Sequence, residues 1–534
     1  MNRPDQHGGP PIPVSGVRNR TWLPVEFLLF LLHPIRTLID PVLQLRDPGI
    51  GWHLMTGRQI IDTGQIPIAD VFSFTATGTE WVSFYWLFQV LAASLEAIGG
   101  LPLFTAATVL VYSMIPVLLY RRMVRMGVGS LLAVLFAVLA HIVLLSHSLA
   151  RPHIVTYVFF ALLVERLECF QNGEATAKSL WWLPLLALLW CNFHGGFVIG
   201  LVLTAFYALV ATARFGWTRS TEEWGRAKVF TALLLGMSAA TLFNPAGPWL
   251  HLSILDYLGM ESTSEFGEWT SFAFGNNLRA LLVESIVVSF ILLLTTGARL
   301  AWIEAVLLIF FMHQALQANR HVNLFVIVAV PIVAREAVRA AERARPALGR
   351  VLRKVAEPAA PRSVRLLLYG SFCAGFLALA GLGQLSYRSE FVGIHLSADA
   401  AAYIETHPQH FSRPFNSDDL GGVLIYRYWP EVRVFMDDRT PVYGDRFILD
   451  QYMKVFRARR GWSDVLDQWE IRTAVVSSRS PAATVLELSS DWEMAHRDDL
   501  TAIFLRAGEP AADADFTRGN ENSYRLESSL VSHP

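Results

Sequence analysis

Charge is scarce in this chain of 534 residues. Only 17% of the side chains are charged, against about a quarter in ordinary soluble domains. The chain is also 53% hydrophobic, has a mean hydropathy of +0.38 and repeats long apolar runs. Together these exclude a soluble globular protein and read as a polytopic membrane protein. Cysteine is almost missing: Cys169, Cys191 and Cys373 all lie in apolar runs, and none has a C-x-x-C partner. That excludes a disulfide framework and a thiolate metal site. No sign of charge is in excess, with 44 basic against 45 acidic residues, so nothing points to a nucleic-acid partner. A cleavable signal is lacking too. Met1 to Arg20 is polar and rich in proline and glycine, no small-residue cleavage site follows the first apolar run, and that run is expected to remain as an anchor.

What is present is a series of apolar runs. Eleven are read as crossings, near Trp22–Leu45, Leu101–Tyr120, Leu131–Leu149, His153–Arg166, Leu180–Cys191, Phe197–Ala213, Lys228–Phe243, Ala280–Thr296, Ala301–Gln317, Val322–Val333 and Val364–Leu385. Several are shorter than the about 20 residues of an untilted span. Basic clusters lie between them: Arg121, Arg122 and Arg125; Arg214 to Lys228; Arg335 to Lys354. Assigning all three to the cytoplasm puts outside the segments 46–100, Arg151, Asn192–Gly196, Asn244–Arg279, Arg320–His321 and everything after Tyr387. The run Ser83–Ile98 would invert these clusters if it crossed. Its aromatic residues, Tyr85, Trp86 and Phe88 among them, make it an interfacial helix instead.

The expected architecture is therefore a cytoplasmic tail (1–21), a helical membrane domain (22–387) with its first outer loop over 46–100, a small extracytoplasmic α/β domain (388–508) and a disordered tail (509–534). Within the outer domain Val432–Met436 and Thr473–Ser477 read as strands, Arg446–Arg457 as a helix, and Trp492–Arg497 with Thr501–Arg506 as a hairpin.

Ionisable and amide groups recur where the spans meet the outer surface: Asp47 and His53, Arg151 and His153, Asn192 and His194, Glu268, Arg320 and His321. Charges near bilayer depth are costly and mark a pathway or a site. They suit transfer of a sugar from a polyprenyl phosphate. A carboxylate takes the proton of the attacking hydroxyl, and guanidinium forks stabilise the departing phosphate. On that reading Asp47 is the base and Glu268 an accessory acid. Arg320 and Arg151 clamp the phosphate, and His53, His153, His194 and His321 donate to it or bind a metal. Each has a plainer role: Asp47 before Pro48–Gly49 closes a turn, Asp70 caps one, the arginines snorkel, Asn244–Pro245 stops a helix and Glu268 is a solvated loop acid.

Read in order, these residues resemble the bacterial polytopic branch of the GT-C glycosyltransferases. The matching positions in the first outer loop are Asp47, Trp52–His53, Thr56–Gly57–Arg58, Ile66–Pro67 and Asp70 with Phe72–Ser73–Phe74–Thr75. Further on come Arg151–Pro152–His153, Asn192–Phe193–His194–Gly195–Gly196, Asn244–Pro245, Glu268–Trp269 and Arg320–His321–Val322–Asn323. The outer domain adds Asn416, Gly421–Gly422, Met436–Asp437–Asp438–Arg439 and Tyr443–Gly444. The resemblance implies a lipid-phosphate sugar donor, an outward cavity and an essential acid at Asp47. It leaves metal dependence open, since the superfamily has members of both kinds. Two positions depart from it. Gly49 stands where a second acid is usual, and Tyr85 where an acid often precedes the tryptophan. Asp437, Arg439 and Tyr443 are expected to bind the acceptor or cover the cavity, with a simple Asp437–Arg439 pair as the alternative. The expected protein is an inner-membrane glycosyltransferase acting on a glycan, lipid or protein acceptor. The alternatives are a transporter, a non-catalytic envelope-assembly protein of the same fold, or a nucleotide-sugar enzyme in the outer domain.

Overall fold

The computed structural model describes residues 20, 21 and 24–508, apart from 276, 296, 297, 299, 355, 356, 359, 360 and 389. Residues 1–19 and the tail expected over 509–534 lie outside the described residues.

All eleven apolar runs are helical, as Val25–Ile39, Trp86–Arg125, Ser130–Leu144, His153–Gln171, Leu183–Phe193, Phe197–Thr218, Thr221–Ala240, Leu278–Thr295, Trp302–Gln317, Val322–Ala344 and Arg362–Gly381. The count of eleven crossings is not upheld. Among the described residues, four helical segments are long and apolar enough to cross a membrane: Trp86–Arg125, Ser130–His147, Phe197–Thr218 and Arg362–Gly381. The others fail for visible reasons. Leu183–Phe193 has 11 residues, about 16 Å of helix. His153–Gln171 carries Glu165, Arg166 and Glu168, and Val322–Ala344 carries Arg335, Glu336 and Arg339.

Those charges are paired. Arg122 donates through Nε and Nη2 to Glu168, both at 3.0 Å, and Arg335 donates to Glu304 at 2.9 Å. In the His153–Gln171 helix, His153 and Glu168 are about 22 Å apart at 1.5 Å per residue. The polar turns and the arginine clusters thus occupy opposite ends of the same helices. The Trp86–Arg125 helix is two helices in one, broken at Gly99 and Gly100, where Gly100 has φ 67°. Its first part lies against the Ile50–Thr63 helix, where a Cβ on Gly57 would overlap the Gln89 carbonyl.

The C-terminal domain holds a four-stranded mixed sheet: β1 Phe415–Asn416, β2 Thr473–Ser477, β3 Trp492–Arg497 and β4 Thr501–Arg506, in the order β1-β2-β4-β3. β1 and β2 are parallel; β2–β4 and β3–β4 are antiparallel. The expected hairpin is there, its turn closed by Asp498 accepting from the Leu500 and Thr501 amides. Arg446–Arg457 is helical through Phe456, with a π turn over Ile448–Tyr452. Val432–Met436 is not a strand of this sheet. It makes one parallel bridge, Ser73 to Val434, because the 46–100 loop takes its hydrogen bonds: Phe74 N–H donates to Val434 O at 3.2 Å and Val434 N–H to Phe72 O at 3.1 Å.

Loop and domain share one apolar core, with Trp52, Phe72 and Trp81 packed among Val434, Phe435 and Met436. Removing such side chains from water supplies roughly 1.5–3 kcal/mol each, so the C-terminal domain and the 46–100 loop form a single packed unit. The loop over 260–265 joins it, because Asp445 accepts from the amides of Glu261 at 3.0 Å and Ser262 at 2.8 Å.

Candidate active site

A cavity of about 430 Å³ lies between the helix ends and the C-terminal domain, walled by Asp47, Trp52, Tyr85, Arg151, Glu268 and Asp438 among others. Asp47 follows the short turn Leu43–Leu45, and its two oxygens have separate partners. Its Oδ1 accepts from Gly49 N–H at 2.9 Å, closing the Asp-Pro-Gly turn, while Oδ2 accepts from Arg151 Nη1 at 2.8 Å. Arg151, held in the Leu149–Pro152 turn, gives its Nη2 to Asp438 Oδ2 at 3.0 Å and lies 3.8 Å from Glu268. Trp52 Nε1 donates to the other Asp438 oxygen at 2.5 Å. Glu268 pairs with Arg320 at 3.5 Å, and the Arg320 guanidinium lies 4.3 Å above the Trp269 ring. Backbone bonds from Asn319 to Thr270 and from Arg320 to Glu268 fix this loop against the turn. Arg320 Nη1 is buried and makes no hydrogen bond.

The two acids beside Arg151 titrate differently. Burial pushes the Glu268 carboxyl up, but Arg320 and Arg151 outweigh it and hold the group down at about 2. Burial dominates at Asp438, reinforced by the charges of Asp47 and Asp437 against the pull of Arg151, and raises it to about 7. The two arginines are kept charged by their acidic neighbours against burial.

Below the cavity lies a pit of about 40 Å³ walled by His53, His153, His194, Tyr85, Arg151 and Arg320, room for a few waters. The imidazoles are oriented donors. Ser83 donates to Gln89 Oε1, which turns the Gln89 amide toward His53 Nδ1 at 3.2 Å. Gly196 N–H donates to His194 Nδ1 at 2.9 Å. Both rings therefore carry their proton on Nε2. Burial first, and Arg151 with other nearby cationic groups next, lower the pKa of His53; His194 is lowered by burial and by His153, Arg320 and Arg151. His153 donates to the His147 carbonyl at 2.8 Å.

Some expected members are elsewhere. His321 walls neither space and stands 6.2 Å from the Trp269 ring, because it lies on the far side of the Asn319–His321 turn. Asp437 and Tyr443 are buried in the domain core. Asp437 takes Arg439 Nε at 2.9 Å and Nη2 at 2.7 Å, and Tyr443 donates to it at 3.0 Å. Arg439 reaches on to Asp70 at 2.6 Å, so Asp70, besides capping its turn through the Phe72 and Ser73 amides, ties loop to domain. Arg439 touches the cavity wall; its Nε and Nη2 go to these two acids, and its buried Nη1 makes no hydrogen bond. Sequence reasoning passed over Asp438. Asp437 turns into the core, to Arg439 and Tyr443, while Asp438 beside it lines the cavity.

The side chains do not fit a divalent metal. No group of three His, Cys, Asp or Glu side chains among the described residues is arranged to hold one, and the Arg151 guanidinium fills the space on which Asp47, Asp438 and Glu268 converge.

No protein-family model matches the chain, and no curated protein matches it in sequence. Solved structures do match in fold. The chain is similar to the oligosaccharyltransferase of Archaeoglobus fulgidus in its apo form, at 13% identity and a TM-score of 0.50, over 85% of this chain and 69% of that one. The same enzyme tethered to an acceptor peptide with an NVT sequon aligns at 12% identity and a TM-score of 0.47, over 85% and 69%. The apo likeness shows the fold alone: the chain folds like that protein, and four of its described helices are long and apolar enough to cross a membrane.

Proposed function

We propose that the protein is a membrane glycosyltransferase that moves a sugar from a polyprenyl-phosphate donor to a glycan, lipid or protein acceptor on the extracytoplasmic side of a bacterial inner membrane. The observation that carries this reading is the pairing of Asp47 with Arg151 and of Glu268 with Arg320, with Arg151 and Glu268 shared between the cavity that Asp47 walls and the pit that Arg320 walls. The acceptor hydroxyl attacks the anomeric carbon, and its proton passes to Asp47. The bond from that carbon to the phosphate oxygen breaks, and its electron pair leaves with the lipid phosphate. Arg320, whose Nη1 faces Glu268 at 3.5 Å without a hydrogen bond, meets the new charge, with the Nε2–H groups of His53 and His194 beneath it. Fixed donors in a partly dry site are worth far more than in water. Arg151 is engaged by acids on three sides, so its work is to hold Asp47 in place. The likeness to an enzyme that works on a peptide acceptor leaves the acceptor class open. Purified protein given polyprenyl-phosphate sugars should consume one of them, and Asp47→Asn should fold normally and consume none. Undiminished transfer by Asp47→Asn would remove Asp47 from the mechanism.

A further inference from the structure

Gly49 and Asp438 compete for the same space. A Cβ built on Gly49 would overlap Oδ2 of Asp438 and press on Oδ1 of Asp47 at 2.9 Å. The far end of a side chain often yields to such a clash, but this carboxylate is pinned from two sides, by Trp52 on one oxygen and Arg151 on the other. Position 49 therefore carries no side chain because a carboxylate already fills its place, and that carboxylate comes from the C-terminal domain. Nothing in the domain's own fold requires it there, since its neighbour Asp437 supplies the core contacts to Arg439 and Tyr443.

Resting on the transferase reading, we propose that Asp438 is a positioning residue of the active site, delivered by the C-terminal domain into the space that residue 49 leaves open, so that Arg151 and through it Asp47 are set for reaction only when that domain is docked. The site is then split between two parts of the chain, and domain docking becomes a requirement for transfer rather than a cover over a finished site. The buried carboxyl, titrating near neutrality, gives the arrangement its own pH signature.

The test is a double-mutant cycle on full-length protein with Gly49→Asp, Asp438→Gly and both together. Thermal unfolding of Gly49→Asp alone should fall by several degrees, while the same change made on Asp438→Gly should cost clearly less, since only the contact with Asp47 Oδ1 at 2.9 Å then remains. Transfer by Asp438→Gly should drop about a hundredfold, as a small misplacement of catalytic groups can cause. The double variant should recover at least tenfold of that loss. Asp438→Asn keeps the Trp52 bond but should lose the limb near pH 7 from the pH profile of kcat. Equal destabilisation by Gly49→Asp in both backgrounds, or a double variant no better than Asp438→Gly, would overturn the proposal. If the wild type transfers no sugar, the unfolding cycle still decides whether residues 49 and 438 share one space, and only the transferase reading falls.

Discussion

Gly51 meets Gly422 backbone to backbone. A Cβ on Gly51 would overlap the Gly422 carbonyl, and one on Gly422 would overlap the carbonyl of Pro48. The Ile50–Thr63 helix and the Asp418–Tyr428 helix of the C-terminal domain thus approach more closely than any side chain permits. Gly51 lies four residues after Asp47, and the neighbouring Gly421 packs tightly on Met436 and Asp437, next to Asp438.

Gly51→Ala and Gly422→Ala should therefore each destabilise the protein by about 1–3 kcal/mol or more, the usual cost of forcing atoms into a packed contact. Either should also speed proteolytic release of the C-terminal domain. Unchanged melting and protease resistance would mean that the close approach is not needed.

Arg439 should be the more sensitive link. It is 3% exposed and joins Asp437 to Asp70 across the loop–domain boundary. Arg439→Ala leaves two buried carboxylates without their cation, a change that costs about 3–5 kcal/mol. Lysine cannot replace the fork, so Arg439→Lys should recover only part of the loss in chemical unfolding.

The two acids flanking Arg151 should give pH effects of opposite sign. Glu268 is held at about 2, below its ordinary 4.5. Its contribution is complete above pH 4.5 and is lost as pH falls toward 2. Asp438 is raised from 3.8 to about 7. Its contribution is complete below pH 3.8 and is lost as pH rises through 7. Relative to wild type, Glu268→Gln should flatten the acid side of the stability profile, and Asp438→Asn the stretch from about pH 4 to 7. Melting temperatures across pH 3 to 8 check both.

Because Arg151 fills the space between the acids, removing divalent ions with a chelator should leave transfer unchanged, and Arg151→Ala should be inactive whether or not metal is added. Loss of wild-type activity on chelation, restored by a divalent ion, would contradict the role given to this guanidinium.

Much of this arrangement was legible in the residues. Polar groups at the ends of apolar runs stand out against a hydrophobic background, so Asp47, Arg151, Glu268 and Arg320 could be named without coordinates. The hairpin around Asp498 follows from local alternation and turn chemistry. What stayed hidden was set by distant contacts. Val432–Met436 has the composition of a strand, but its partner is the loop at Ser73, more than 350 residues earlier. Asp438 looked like a companion of Asp437 until packing turned the two apart. The number of crossings was overread because short runs such as Leu183–Phe193 are as apolar as longer ones and differ only in length. Gly49, which looked like a lost acid, proved to be the space for one.

The most direct measurement is single-turnover release of polyprenyl phosphate from a polyprenyl-phosphate sugar by the purified protein, compared with Asp47→Asn and Arg320→Lys. The account predicts release by the wild type, none by Asp47→Asn and a large loss with Arg320→Lys, with all three proteins equally folded. Release that is the same in all three would contradict it.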